Sequence, residues 1–133
     1  MNMKHLWILT TLLLAVCCNA QTGGVNTAPT HNVTITEDQN GQTVDVALND
    51  DVVVTFVAAG GTGYAWQMEP SDMATAKAEN VALKPGLPGG PLKTMFHVQV
   101  KRAGTVTLKF DFSRAWEKNT PPAKTFSVTL RVQ

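Results

Sequence analysis

The sequence predicts an all-β domain, two sheets packed face to face and built from seven to eight short strands. Three observations carry that prediction. In Thr94–Val100, Thr105–Phe112 and Thr125–Val132 the apolar residues fall on every second position, the period of a strand with one buried face. These runs are short and punctuated by turn residues such as Asp38-Gln39-Asn40-Gly41, Asn49-Asp50-Asp51 and Lys101-Arg102-Ala103-Gly104. The alternation leaves half of each strand polar, as in a sandwich whose outer faces meet water.

The first segment stands outside that domain. Met1–Ala20 carries one lysine, Lys4, an apolar run from Leu6 to Val16 and a small-residue end at Cys18-Asn19-Ala20. This is the layout of a secretory signal peptide, too short for a stable membrane span, with cleavage expected after Ala20. The alternative is a lipoprotein signal around Leu14-Ala15-Val16-Cys17, although valine just before the cysteine fits it poorly. A lipid on Cys17 or Cys18 would anchor the domain to a bacterial membrane; otherwise a secreted or periplasmic protein is expected. Both cysteines of the chain lie in this segment, so the mature protein would hold no disulfide and must be stabilised by its core. Residues 21–31, rich in Thr, Gly, Asn and Pro, read as a flexible linker, and residues 32–133 as one domain.

Within the domain, Asn32–Thr36 and Thr43–Leu48 alternate and read as a hairpin about Asp38–Gly41. Asp51–Ala58 is β-branched and aromatic, with Val52, Val53, Val54, Phe56 and Val57, and reads as a strand. The next strand starts near Tyr64, with Trp66 and Met68 on one face and Trp66 as the expected core tryptophan. Ser71–Asn80 has a helix-favouring composition with Ser71 or Asp72 as a possible N-cap, so a short helical turn is expected there, then a brief strand at Val81-Ala82-Leu83. The last three strands present Phe96, Val98 and Val100; Val106, Leu108, Phe110 and Phe112; and Phe126, Val128, Leu130 and Val132 inward. Together these make an immunoglobulin-like antiparallel β-sandwich, without the paired cysteines of antibody domains.

Three loops stand out. After the Asp51–Ala58 strand comes Gly60-Gly61-Thr62-Gly63-Tyr64, whose glycines permit tight turning or close approach to another surface. The others are Gly86-Leu87-Pro88-Gly89-Gly90 and Arg114-Ala115-Trp116-Glu117. If consecutive strands run antiparallel, alternate connections share one end of the sandwich. That parity places the three loops side by side, provided Val81–Leu83 is a strand. Taken alone, the first loop reads as a simple hairpin turn, and the second has an ordinary turn as its plain reading.

In order and spacing these loops resemble the three signature loops of the chagasin family of cysteine-protease inhibitors, patterned N-P-T-T-G-Y, G-x-G-G and R-P-W. Thr62-Gly63-Tyr64, Gly89-Gly90, and Arg114 with Trp116 agree. Ala59, Gly60 and Gly61 stand in place of Asn, Pro and Thr, Leu87 in place of the leading Gly, and Ala115 in place of Pro. The resemblance spans essentially all of the expected mature chain. It implies a reversible, steric inhibitor of papain-like cysteine proteases. Gly60, Gly61, Thr62, Gly63 and Tyr64 would fill the active-site cleft, and Gly89 and Gly90 would meet one rim. Trp116, supported by Arg114, would meet an aromatic patch beside the cleft. The altered first loop implies a looser wedge: ordering each extra glycine costs about 1 kcal/mol or more, roughly tenfold in affinity.

The rest of the composition argues against other classes. No residue carries a recognisable nucleophile-histidine-acid context, so an enzyme is not expected. His31, His97 and the methionines lack metal-ligand spacing, and no cofactor or metal is expected. His97 reads as an exposed or edge histidine, and Asp50 and Asp51 as solvated turn residues. Loss of Lys4 leaves equal numbers of basic and acidic side chains, so neither nucleic acid nor an anionic membrane is an expected partner. A monomer is expected. From a different class, an extracellular adhesion or structural module would use the same loop end to bind protein or glycan, with Tyr64 and Trp116 serving equally. The plain alternative for the third loop is Trp116 folded over the sandwich corner with Arg114 paired to Glu117.

Overall fold

The computed structural model describes residues 31–133. The expected signal peptide, the cysteines at 17 and 18 and the linker up to residue 30 lie outside the described residues. Eight strands follow: β1 Asn32–Thr36, β2 Thr43–Val46, β3 Asp51–Ala59, β4 Tyr64–Met68, β5 Ala74–Ala82, β6 Pro91–Val100, β7 Gly104–Arg114 and β8 Lys124–Val132. They form two four-stranded sheets, one ordered β1-β3-β6-β5 and the other β2-β8-β7-β4. The all-β sandwich is therefore observed, with one parallel pair at an edge of each sheet, β1 with β3 and β2 with β8.

Those edge pairs correct the expected hairpin. β1 and β2 lie in different sheets, and a 3-10 turn at Glu37–Gln39 carries the chain between them. The turn is held by β8 rather than by a two-strand ladder. Gly41 N–H donates to Ser127 O at 2.7 Å, Ser127 N–H to Asn40 Oδ1 at 2.9 Å, and Thr129 N–H to Gln42 O at 2.9 Å. The Gln39 side chain accepts from Thr36 N–H at 3.1 Å, closing the turn locally.

Of the inward residues expected in the last three strands, all but the partly buried Val100 and Phe112 belong to the core, which β3 joins. Val52, Val54 and Phe56 of β3, Phe96 and Val98 of β6, Val106, Leu108 and Phe110 of β7, and all four of β8 are buried. Phe56 is the hub. Its ring stacks on Trp66 from the opposite sheet, centroids 4.1 Å apart at 16°, and meets Phe96, Phe110 and Phe126 at 5.1–5.9 Å. Burying such rings contributes roughly 2–3 kcal/mol each, with more from their offset and edge contacts.

Two local expectations are overturned. Ser71–Asn80 is not helical: Ala74–Ala82 is the edge strand β5, antiparallel to β6 along its whole length, and Ser71 only closes a small turn by accepting from Met73 N–H at 3.3 Å. From Ala78 to Ala82 the strand is exposed on both faces, so it has no inside and outside to write into the sequence as an alternation. Asp50 is not a solvated turn residue. Its side chain is only 6% exposed, with Oδ2 accepting from Ala47 N–H at 2.7 Å and Oδ1 3.5 Å from His31 Nδ1. That contact is too long for a hydrogen bond, which is why Oδ1 is left without a partner among the described residues.

Candidate functional site

The β3–β4, β5–β6 and β7–β8 connections emerge at one end of the sandwich, and backbone and side-chain contacts join them. Gly60 N–H donates to Gly90 O at 3.0 Å, tying the first loop to the second. A methyl group on Gly60 would overlap that same carbonyl oxygen, so the approach requires glycine for want of space. Gly61 lies against Gly89, whose Cα would be 3.3 Å from a Cβ on Gly61. Gly90 N–H closes the second loop on Leu87 O at 3.0 Å, leaving the Leu87 side chain 55% exposed.

The third loop is tied to the first through Arg114. Arg114 is the cross-strand partner of Tyr64, so its side chain is delivered over that ring, guanidinium carbon 4.4 Å from the centroid. From there Nε–H donates to Thr62 O at 3.1 Å and Nη1 pairs with Glu117 Oε1 at 3.1 Å. Thr62 also braces its own loop: Oγ1 accepts from Tyr64 N–H at 3.3 Å and lies 3.5 Å from Ala59 O. Tyr64 stacks in turn on Phe112, centroids 5.2 Å apart at 24°. The first loop is therefore fixed by the other two, contrary to the looseness expected from its extra glycines.

Trp116 combines both readings offered by the sequence. Its six-membered ring packs on Gly63, where φ is +78° and a Cβ would collide with the indole. Yet the residue remains 66% exposed, more than any other exposed large apolar residue. The Arg114–Glu117 pair of the plain reading is present too, but it coexists with the bond to Thr62. Every one of the nine residues singled out in the sequence is thus at this end. Nothing in the sequence marks the Gly60–Gly90 bond, which joins positions thirty residues apart, whereas Phe112, extending the aromatic row under Tyr64, is legible as an inward position of its strand.

The site is a projecting edge of backbone and aromatic rings. A concave groove of about 570 Å³ lies at the other end of the sandwich, beside Asp50, Asp51 and the end of β6. It is remote from the three loops. His97, expected to be exposed or at an edge, is half-exposed on the outer face of the interior strand β6, with Nε2 3.5 Å from Glu79. No group of three or more His, Cys, Asp or Glu side chains able to hold a metal occurs among the described residues. What the loop end offers is shape and apolar surface.

Comparison with known proteins bears on that surface. A family model described as chagasin family peptidase inhibitor matches residues 45–130, a span running from β2 to β8. Amoebiasin-2 of Entamoeba histolytica is 30% identical over 103 residues, covering 73% of this chain and 84% of that protein. Chagasin of Trypanosoma cruzi is 29% identical over 104 residues, covering 73% of this chain and 94% of its own. The crystal structure of a cysteine protease inhibitor from Entamoeba histolytica has the same fold, with a TM-score of 0.67, 24% identity and coverage of 77% of this chain and 96% of that one.

Proposed function

The chain belongs to the chagasin family of peptidase inhibitors, and on that premise we propose that it blocks papain-like cysteine proteases by seating its three tied loops in and beside the active-site cleft. It is an inhibitor and not an enzyme. The observation that carries the mechanism is the loop end itself: glycine backbone and an exposed indole held in place by Gly60–Gly90, Arg114–Thr62 and Trp116–Gly63 contacts.

In this reading Gly60, Gly61, Thr62 and Gly63 form the leading edge, narrow because three of the four lack side chains. Backbone without Cβ atoms approaches a cleft floor closely, and a turn held across three loops does not lay an extended peptide bond before the catalytic thiolate. Blockade is then steric and reversible. Tyr64 and Arg114 support the edge from below, while Gly89-Gly90 and Trp116 flank it on two sides. An exposed tryptophan beside an arginine is the composition of an interface hot spot. Because the free protein already holds the loops, little ordering entropy is left to lose on binding, which raises affinity without adding contacts.

Export completes the proposal. The Met1–Ala20 segment has the layout of a secretory signal, and the described domain contains no cysteine to depend on a redox compartment. The test of function is titration of the purified protein against papain and a cathepsin L-type enzyme with a fluorogenic peptide substrate. Reversible loss of activity near equimolar ratio is expected. Full protease activity in the presence of micromolar folded protein would refute it. Mass spectrometry of the protein from its native source reads the cleavage site and any lipid.

A further inference from the structure

We propose that the outer face of the first sheet, at its loop end, is an additional contact surface for the target protease, engaging apolar surface next to the cleft on the side of the Gly86–Gly90 loop. The inference rests on the reading of the loop end as protease-binding and extends it to residues outside the three loops.

The exposed large apolar residues are not scattered. Among the described residues, Val57, Val81, Leu83, Leu87 and Trp116 all lie toward the loop end, and only Leu48 lies at the other. The register places the first two together. Val57 of β3 and Val81 of β5 are both opposite Lys93 of β6, and directly opposed residues share a face. Val57 is 50% exposed while its neighbour Phe56 is buried, so this row points outward. Leu83, 47% exposed, continues β5 by donating its N–H to Pro91 O at 3.0 Å, next to the row in which Ala59 opposes Pro91. Leu83 and then Leu87 carry exposed apolar side chains from the end of β5 into the second loop.

β5 makes this more than a few stray valines. Its segment Ala78–Ala82 is exposed on both faces and forms the free edge of its sheet. Ordering it gains cross-strand bonds but almost no burial. The lower half of the same outer face is polar, with Thr75, Lys77, His97 and Gln99, as suits a surface in permanent contact with water. The lower half also holds Val53, partly buried opposite His97, whereas the large exposed apolar residues of this face lie in the half adjoining the loops. There, Lys93 sits between two valines; a partner surface that matches it is apolar with a carboxylate facing the ammonium. A protease seated on the loops extends past the cleft on this side, and its rim is the occupant that contiguity favours.

The test compares inhibition constants against a protease that the unaltered protein blocks. The double variant Val57→Asp/Val81→Asp is expected to weaken inhibition about tenfold or more. Thr75→Asp, on the same face at the far end of β5, serves as the charge control and leaves the constant unchanged. Thermal unfolding and circular dichroism verify that each variant folds. Should the double variant fail to fold, Lys93→Glu is measured in its place, with weakening again expected. Unchanged inhibition by a folded surface variant, while Trp116→Ala weakens it, overturns this inference and leaves the proposed function standing. Equal weakening by Thr75→Asp overturns it as well, showing a general charge effect. If neither the surface variants nor Trp116→Ala changes inhibition, both readings fall together.

Discussion

Replacing Arg114 with alanine removes a side chain that hydrogen-bonds to the first loop and the third at once. Four contacts go: the bond from Nε to Thr62 O, the pair with Glu117, the stack over Tyr64, and a more distant approach to the Trp116 ring, 5.9 Å from its centroid. The pair is about one-third exposed on each side, so it contributes only about 0.2–1 kcal/mol. The stack adds about 0.5–1 kcal/mol, and a hydrogen bond from a charged donor about 1.5 kcal/mol at the lower, solvent-exposed end of its range. The loop gives the same scale from another direction. Release of Thr62 and one neighbour restores about 1–2 kcal/mol of backbone freedom per residue, all of which must be surrendered again on binding. Both routes lead to a loss of about 2 kcal/mol, or roughly thirtyfold in the inhibition constant.

The assay is inhibition of papain by Arg114→Ala, together with amide hydrogen exchange of the free protein. Tyr64 N–H, bonded to Thr62 Oγ1 within the loop, is the reporter; its exchange is expected to quicken in the variant. Arg114→Lys is expected to rescue little, since an ammonium lacks the planar face that lies over Tyr64 and the fixed fork that reaches both partners. An inhibition constant within threefold of the unaltered protein would refute the argument. So would a weakened constant with unchanged exchange at Tyr64, because Arg114 would then act by touching the protease and not by holding the loop.

Trp116→Ala is expected to weaken inhibition by about 2 kcal/mol or more, as for a central hot spot, yet leave the unfolding midpoint almost unmoved, since the indole is mostly exposed; inhibition assays and thermal melts read the two. Gly60→Ala drives a methyl into Gly90 O and parts the first two loops, with an expected weakening of roughly tenfold. Gly60→Pro restores the residue of the family pattern but deletes the N–H that Gly90 accepts here; inhibition titrations are expected to show it weaker too. Phe56→Ala empties the centre of the aromatic cluster at an expected cost of about 3–5 kcal/mol, measured by urea unfolding, with no defect peculiar to the loops in the fraction still folded.

What could be read from the sequence follows from what each residue faces. β6, β7 and β8 each bury one face, and their alternation marks both the strands and most residues of the core; β3 is legible as a strand from its β-branched and aromatic run, but Val52-Val53-Val54 does not show in sequence which face is buried. β5 escaped because its second half buries neither face, leaving only a composition of Ala, Lys, Glu and Asn that suits a helix equally well. The pairing of β1 and β2 was misread for a different reason. Alternation marks a strand but not its partner, and a turn signal at Asp38–Gly41 does not disclose that β8 satisfies it. The convergence of the loops followed from strand parity alone. Their ties did not: the Gly60–Gly90 and Arg114–Thr62 bonds join distant positions, and the character of the first loop depends on them more than on its own glycines. Asp50 shows the same limit, a turn carboxylate by sequence whose burial is decided by neighbours in space.

The stack of Phe56 on Trp66 also settles how the domain carries mechanical load. These two residues sit on the strands that enter and leave the glycine loop, one in each sheet, Phe56 four positions before Gly60 and Trp66 three after Gly63. The two stems of the loop therefore converge on a pair of rings stacked between the sheets. The tip is stiff in compression because its footing spans both layers of the sandwich. Loosening that footing would turn a wedge into a tether, even with every residue at the tip unchanged.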